Sequence, residues 1–122
     1  MDEREFKDRT KNLGLAVVQL SESLAKTRAA DVLARQILRS ATSVGAKYRA
    51  ACRAKSTADM FNKLKIVEEE ADETLYWLEL LKESKSAPDA LLDPLIRETD
   101  EIVAMTVASI KTLRAKIQNQ RA

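Results

Sequence analysis

There is no histidine in this chain of 122 residues, and that absence excludes more chemistry than any residue present supplies. Without an imidazole there is no Ser-His-Asp or Cys-His nucleophile system, and no Glu-x-x-His pair of the kind that di-iron bundles require. The single cysteine, Cys52, rules out an internal disulfide and a structural zinc site within one chain, and agrees with a reducing compartment. Two glycines and two prolines leave little room for β-turns. Aromatic residues make up only 4% of the chain, and none alternates with arginine as a base-stacking surface requires. Met1 to Arg9 alternate in charge and hold no apolar run of the length that a signal peptide or a membrane span needs. The expectation is a soluble cytoplasmic protein with no catalytic site, no metal and no cofactor.

What remains is a composition rich in Ala, Leu, Lys, Glu and Arg, with 45% apolar residues to fill a core and 33% charged residues to solvate it. It predicts one all-α domain spanning residues 1–122. Four helices follow from the apolar periodicity. The first, from about Asp2 to Ala25, aligns Phe6, Leu13, Val17, Leu20 and Leu24. The second is capped by Asp31 and aligns Ala34, Ile37, Ala41, Val44, Tyr48 and Cys52 as far as Ala54. Gly45 in that stripe predicts a close approach of two helix backbones. The third begins at Ser56-Thr57-Ala58-Asp59, a hydroxyl with a carboxylate three residues on. After a loose stretch from Ser84 to Leu92, Asp93-Pro94 predicts the start of the fourth helix, with Ile102, Val103, Ile110, Leu113 and Ile117 on its apolar face. Short connections make neighbours antiparallel, so the predicted fold is an up-down-up-down four-helix bundle.

The third helix is apolar on two opposite faces. Met60, Leu64, Val67, Leu75 and Leu78 form a core stripe, while Ile66, Tyr76, Trp77 and Leu80 lie on the far side with Glu69 and Glu73 between them. A monomeric bundle uses only the first stripe. The second predicts an oligomer interface, most simply with a copy of the same chain. Trp77, in the company of Ile66 and Leu80, is expected at that boundary.

Charge is divided just as unevenly. Residues 31–55 carry six basic side chains against Asp31 alone, a net of +5, whereas residues 59–83 carry three basic and eight acidic side chains, a net of −5. Opposite charges on consecutive helices predict that the two face each other. Arg35, Arg39, Arg49 and Arg53 fall on one edge of the second helix. Guanidinium forks bind phosphates by charge and shape, which makes this edge a candidate nucleic-acid contact. The plainer reading is that these arginines pair with the acidic helix and solvate the surface.

The runs RQILRSATSVGA (35–46), YRAACRAKS (48–56), IVEEEADE (66–73) and YWL (76–78), in that order and spacing, resemble the four-helix-bundle proteins related to the 23S rRNA intervening-sequence protein. The similarity extends from Phe6 to the VASIK run at 107–111. Many relatives have Asn where Lys47 stands. The resemblance implies a homo-oligomeric bundle, commonly a pentameric ring, and a related group of retroelement accessory proteins is associated with RNA and a reverse transcriptase. The expected function is therefore a non-catalytic scaffold that binds RNA or an RNA-bound enzyme through basic edges. Two alternatives stand beside it. Glu69-Glu70-Ala71-Asp72-Glu73 has the E-E-x-x-E spacing of all-α nucleoside-triphosphate pyrophosphatases, with Glu98 and Glu101 as a second acidic pair for Mg²⁺. The other is a purely protein-binding adaptor.

Overall fold

The computed structural model describes residues 2–121, in four helices: α1 (Glu3–Glu22), α2 (Arg28–Cys52), α3 (Thr57–Glu83) and α4 (Asp89–Arg121). Each helix packs on the next in sequence, and α1 returns to meet α4 along a thinner seam. The neighbours run antiparallel. Gly45 of α2 lies against Thr10 of α1 and Gly14 of α1 against Ala41 of α2, while Ser40 meets Thr74 across α2 and α3, and Lys82 meets Asp93 across α3 and α4. The α1–α2 and α3–α4 connections share one end of the bundle, where the Ala25 amide donates to the Ser86 carbonyl at 3.0 Å.

One core runs along the bundle axis, from Phe6, Leu13, Val17 and Leu20 on α1 through Ile37, Val44 and Tyr48 on α2 to Leu64, Val67, Leu78 and Leu81 on α3 and Ile102 and Ile110 on α4. Phe6 and Tyr48 meet edge to face at 4.6 Å. Between these apolar layers sit buried hydroxyls at Thr10, Thr74, Thr99 and Thr106. Each donates to the carbonyl four residues earlier on its own helix, at 2.7–3.0 Å, so burial leaves none of them without a partner. Ala34 and Cys52 are only half-buried, and Ala30 and Ala51 occupy the core instead.

Three helix ends differ from the expected ones. Thr27, not Asp31, caps α2: its hydroxyl accepts from the Ala30 amide at 3.1 Å, which places Asp31 inside the first turn, where its charge favours the amide end of the helix. The first helix stops at Glu22, three residues short of Ala25. The fourth begins at Asp89, with Pro94 inside it. Proline there removes the amide that would bond the Ala90 carbonyl, but Ala90 and Pro94 are not buried and water can serve that carbonyl. Burying Leu92 in the core draws the helix start back one turn. The α3 cap is as expected, with Ser56 Oγ accepting from the Asp59 amide at 3.1 Å, and Asp59 in turn accepts from the Lys55 amide at 3.0 Å.

Candidate assembly and nucleic-acid surfaces

The four α2 arginines do not form one continuous free edge. Arg35 pairs with Asp31 one turn earlier at 2.6 Å, an exposed contact along the same helix. Arg39 bridges to α3, with Nη1 donating to Glu70 at 3.2 Å and Nη2 to Glu73. Those two carboxylates hold the Arg39 guanidinium above its ordinary pKa, the hydrogen bond to Glu73 foremost. This is the pairing of basic and acidic helices that the opposed charges predicted. Arg49 and Arg53 lie further along and form part of a groove of about 590 Å³ between α1 and α2. Lys7 and Lys11 of α1 line its other wall, with Asp8 its one acidic side chain, and Leu15 and Val18 stand at its far end.

The groove exists because two helix backbones approach where glycine permits it. A Cβ at Gly45 would lie 3.3 Å from the Thr10 carbonyl oxygen, tighter than ordinary contact, whereas one at Gly14 would sit a comfortable 3.7 Å from the Ala41 oxygen. Sequence reasoning missed Lys7 and Lys11. In α1 they alternate with Asp2, Glu3, Glu5 and Asp8, so the helix carries no net sign to mark them. The closeness that Gly45 predicted was the signal that could have placed them beside Arg49 and Arg53.

On the outer side of α3, Ile66 and Tyr76 are 42% and 54% exposed, uncommonly open for side chains of this size, and Glu69 lies between them on the same face. The other expected members of that face sit lower. Trp77 packs against the core while stacking edge to face on Tyr76 at 5.1 Å. Glu73 accepts from both Arg39 and the Trp77 indole N–H, the latter at 3.4 Å. The open part of the face is therefore Ile66, Glu69 and Tyr76, with Asp72 beside them.

The carboxylates proposed for Mg²⁺ are divided among other partners. Glu70 and Glu73 belong to Arg39, and Glu98 and Glu101 both accept from Arg9 of α1 across the α1–α4 seam. Among the described residues, no three Asp, Glu or Cys side chains converge as a metal site would need.

The two ends of the bundle differ in charge. The end built from residues 2–12, 43–66 and 106–121 carries fourteen basic and five acidic side chains, while the connection end, residues 13–42 and 67–105, carries seven and fourteen. The net charges are +9 and −7, a polarity that the overall +2 conceals. From Ile102 to Arg121, α4 has Lys111, Arg114, Lys116 and Arg121 and no acid. Arg114 and Lys65 both lie over the Phe61 ring, 5.6 Å from its centroid, which holds two cations at this end.

No helix among the described residues is long and apolar enough to cross a membrane. No curated protein matches the chain significantly. Among solved structures, it is similar to a protein of unknown function from the S23 ribosomal protein family of Bacteroides thetaiotaomicron VPI-5482, with 36% identity and a TM-score of 0.83 over 91% of this chain and 99% of that one. The family model described as 23S rRNA-intervening sequence protein matches residues 3–108. With a bundle of the same shape, and a match over most of its length, the chain belongs to the 23S rRNA-intervening sequence protein family.

Proposed function

We propose that the protein is a non-catalytic, homo-oligomeric scaffold of the cytoplasm that binds RNA, or an RNA-bound enzyme, by contacts to the phosphate backbone. The observation that carries this reading is the separation of charge along the bundle, +9 at one end and −7 at the other. A polyanion approaching such a dipolar rod is drawn to the basic end, and its condensed counterions are released on contact. The α4 segment from Lys111 to Arg121 gives that end charge without an acid on the same segment. No aromatic platform accompanies these residues beyond the already occupied Phe61, so contact is by charge and shape and not by base stacking.

Arg35 and Arg39 already have carboxylate partners within the subunit, so this reading gives the polyanion contact first to the cations that lack one among the described residues. Self-association uses the open α3 face, Ile66, Glu69 and Tyr76, and five subunits is the number that the family resemblance implies. The test is binding of a labelled structured RNA followed by anisotropy over a range of salt. The wild-type affinity should fall steeply as salt rises. Changing Lys111, Arg114, Lys116 and Arg121 together to Ala should weaken binding and flatten the salt slope, by up to roughly 0.7–0.9 for each phosphate no longer neutralised. Unchanged affinity and slope in that variant would refute the assignment.

A further inference from the structure

Among the described residues, four of the six exposed large apolar side chains fall in two places: Leu15 and Val18 at the end of the α1–α2 groove, and Ile66 and Tyr76 on the outer face of α3. Charge of one sign also predominates at each place. The groove offers Lys7, Lys11, Arg49 and Arg53 against one acid, and the α3 face offers Glu69 and Asp72, neither of which has an ion-pair partner within the described residues. The lengths agree as well. Lys7 to Val18 spans about 16 Å of helix and Ile66 to Tyr76 about 15 Å. The two surfaces share no residue.

We infer that the α1–α2 groove is the socket for the outer face of α3 from a second copy of this chain. The inference rests on the self-association proposed above and names its second surface. Apolar ends cover each other, and the acids of the incoming helix meet the lysines and arginines of the groove walls. Because socket and plug are different patches, the contact is head to tail. Every copy presents both, and a closed ring follows when the rotation between neighbours divides a full turn. Gly45 acquires a function through this arrangement, since the close α1–α2 crossing shapes the floor of the socket. Arg49 and Arg53 then serve assembly, which leaves Lys55 and the α4 cations for the polyanion.

Two charge reversals on surface residues test it: a socket variant, Lys11→Glu with Arg49→Glu, and a plug variant, Glu69→Lys with Asp72→Lys. Masses are read by sedimentation velocity, with circular dichroism to confirm helix content. Each variant alone should lose the higher-mass species seen for the wild type. Their equal mixture should regain higher-mass species in which the two chains alternate, because the intact plug fits the intact socket and the two reversed patches also match in charge. A chain carrying all four changes should recover the assembly, since the charges are then exchanged across the contact. A socket variant that keeps the wild-type mass while the plug variant becomes monomeric would overturn the inference and leave self-association standing. A socket variant that keeps its mass and loses only RNA binding would assign the groove to the polyanion, and also overturns it. A monomeric wild type removes both.

Discussion

Arg9 of α1 reaches across the thin side of the bundle to Glu98 of α4, donating from Nε at 2.9 Å and from Nη2 to the second carboxylate oxygen. The same guanidinium extends to Glu101 at 3.4 Å and to the Met105 sulfur at 3.4 Å. The two carboxylates raise the Arg9 pKa well above its ordinary value, against the desolvation that lowers it. The α1–α4 seam has the least packing of the four, so this fork carries a large part of its cohesion. Replacing Arg9 by Met keeps the aliphatic stem and removes the fork, leaving Glu98 half-buried without its cation. The expected loss is about 1–3 kcal/mol in urea unfolding, with faster amide exchange concentrated in α1. A loss no larger than that of an exposed pair such as Arg35–Asp31, disrupted in parallel, would contradict it.

Gly14 and Gly45 should answer alanine in opposite directions. Both are in helices, where alanine is favoured over glycine by about 1 kcal/mol. At Gly14 a methyl meets only ordinary contacts at 3.7 Å and beyond, so the propensity gain prevails and the melting temperature rises. At Gly45 the methyl presses on the Thr10 backbone at 3.3 Å, and α1 must move away from α2. Overpacking of about 1–3 kcal/mol outweighs the gain, and stability falls. Equal effects at the two sites would remove the steric account of the groove.

Lys85 adopts a φ of 57°, the left-handed conformation, just beyond the end of α3. The Lys85 amide donates to the Lys82 carbonyl and the Ser86 amide to Leu81, both at 3.0 Å, which is the hydrogen-bond pattern of a helix stop that usually employs glycine. Lys85→Gly relieves the strain on Cβ and should stabilise the fold by about 1 kcal/mol, partly offset by the greater freedom of glycine in the unfolded chain. Differential scanning calorimetry of the single variant decides it, and an unchanged or lowered melting temperature would contradict the expectation.

Much of the fold was legible because its signal is periodic. The core stripes of α1, α2 and α3 follow from spacing alone, down to Leu13, Val44 and Val67. The ends of helices were less legible, because Thr27 and Asp31 are both acceptable caps and residue type alone does not choose between them. Pro94 read as a beginning because proline suits a first turn, yet it is tolerated further in where the Ala90 carbonyl that it leaves without a donor meets solvent. The groove was invisible for another reason: Lys7 and Lys11 come from a helix of balanced charge, and only the fold brings them opposite Arg49 and Arg53. The charge polarity of the two ends is likewise a property of which helix termini share an end, not of any one segment.

Alkaline pH should weaken the fold. Burial pushes the Tyr48 phenol above its ordinary value of 10.0, and the Cys52 thiol above 9.0, with Glu3 adding to the latter. Both groups are neutral in the folded protein and lose their protons more readily when it unfolds. Their contribution is thus complete below about pH 9 and declines as pH rises through the folded-state values. Urea midpoints measured from pH 7 to 10.5 should be level at first and then fall, and Tyr48→Phe should flatten the upper part of that fall. A Tyr48→Phe profile parallel to the wild type would assign the loss elsewhere. Cys52, half-buried with a raised pKa, should also react slowly with a disulfide reagent at pH 7 and regain ordinary reactivity in urea.

The state of assembly in water tests the central claim most directly. Sedimentation velocity of the wild-type chain at micromolar concentration should give one discrete species at a multiple of its 13.7 kDa mass, five-fold on the family resemblance, which Tyr76→Lys reduces to the single chain. A lone 13.7 kDa species across the whole concentration range, unaltered by Tyr76→Lys, would contradict it.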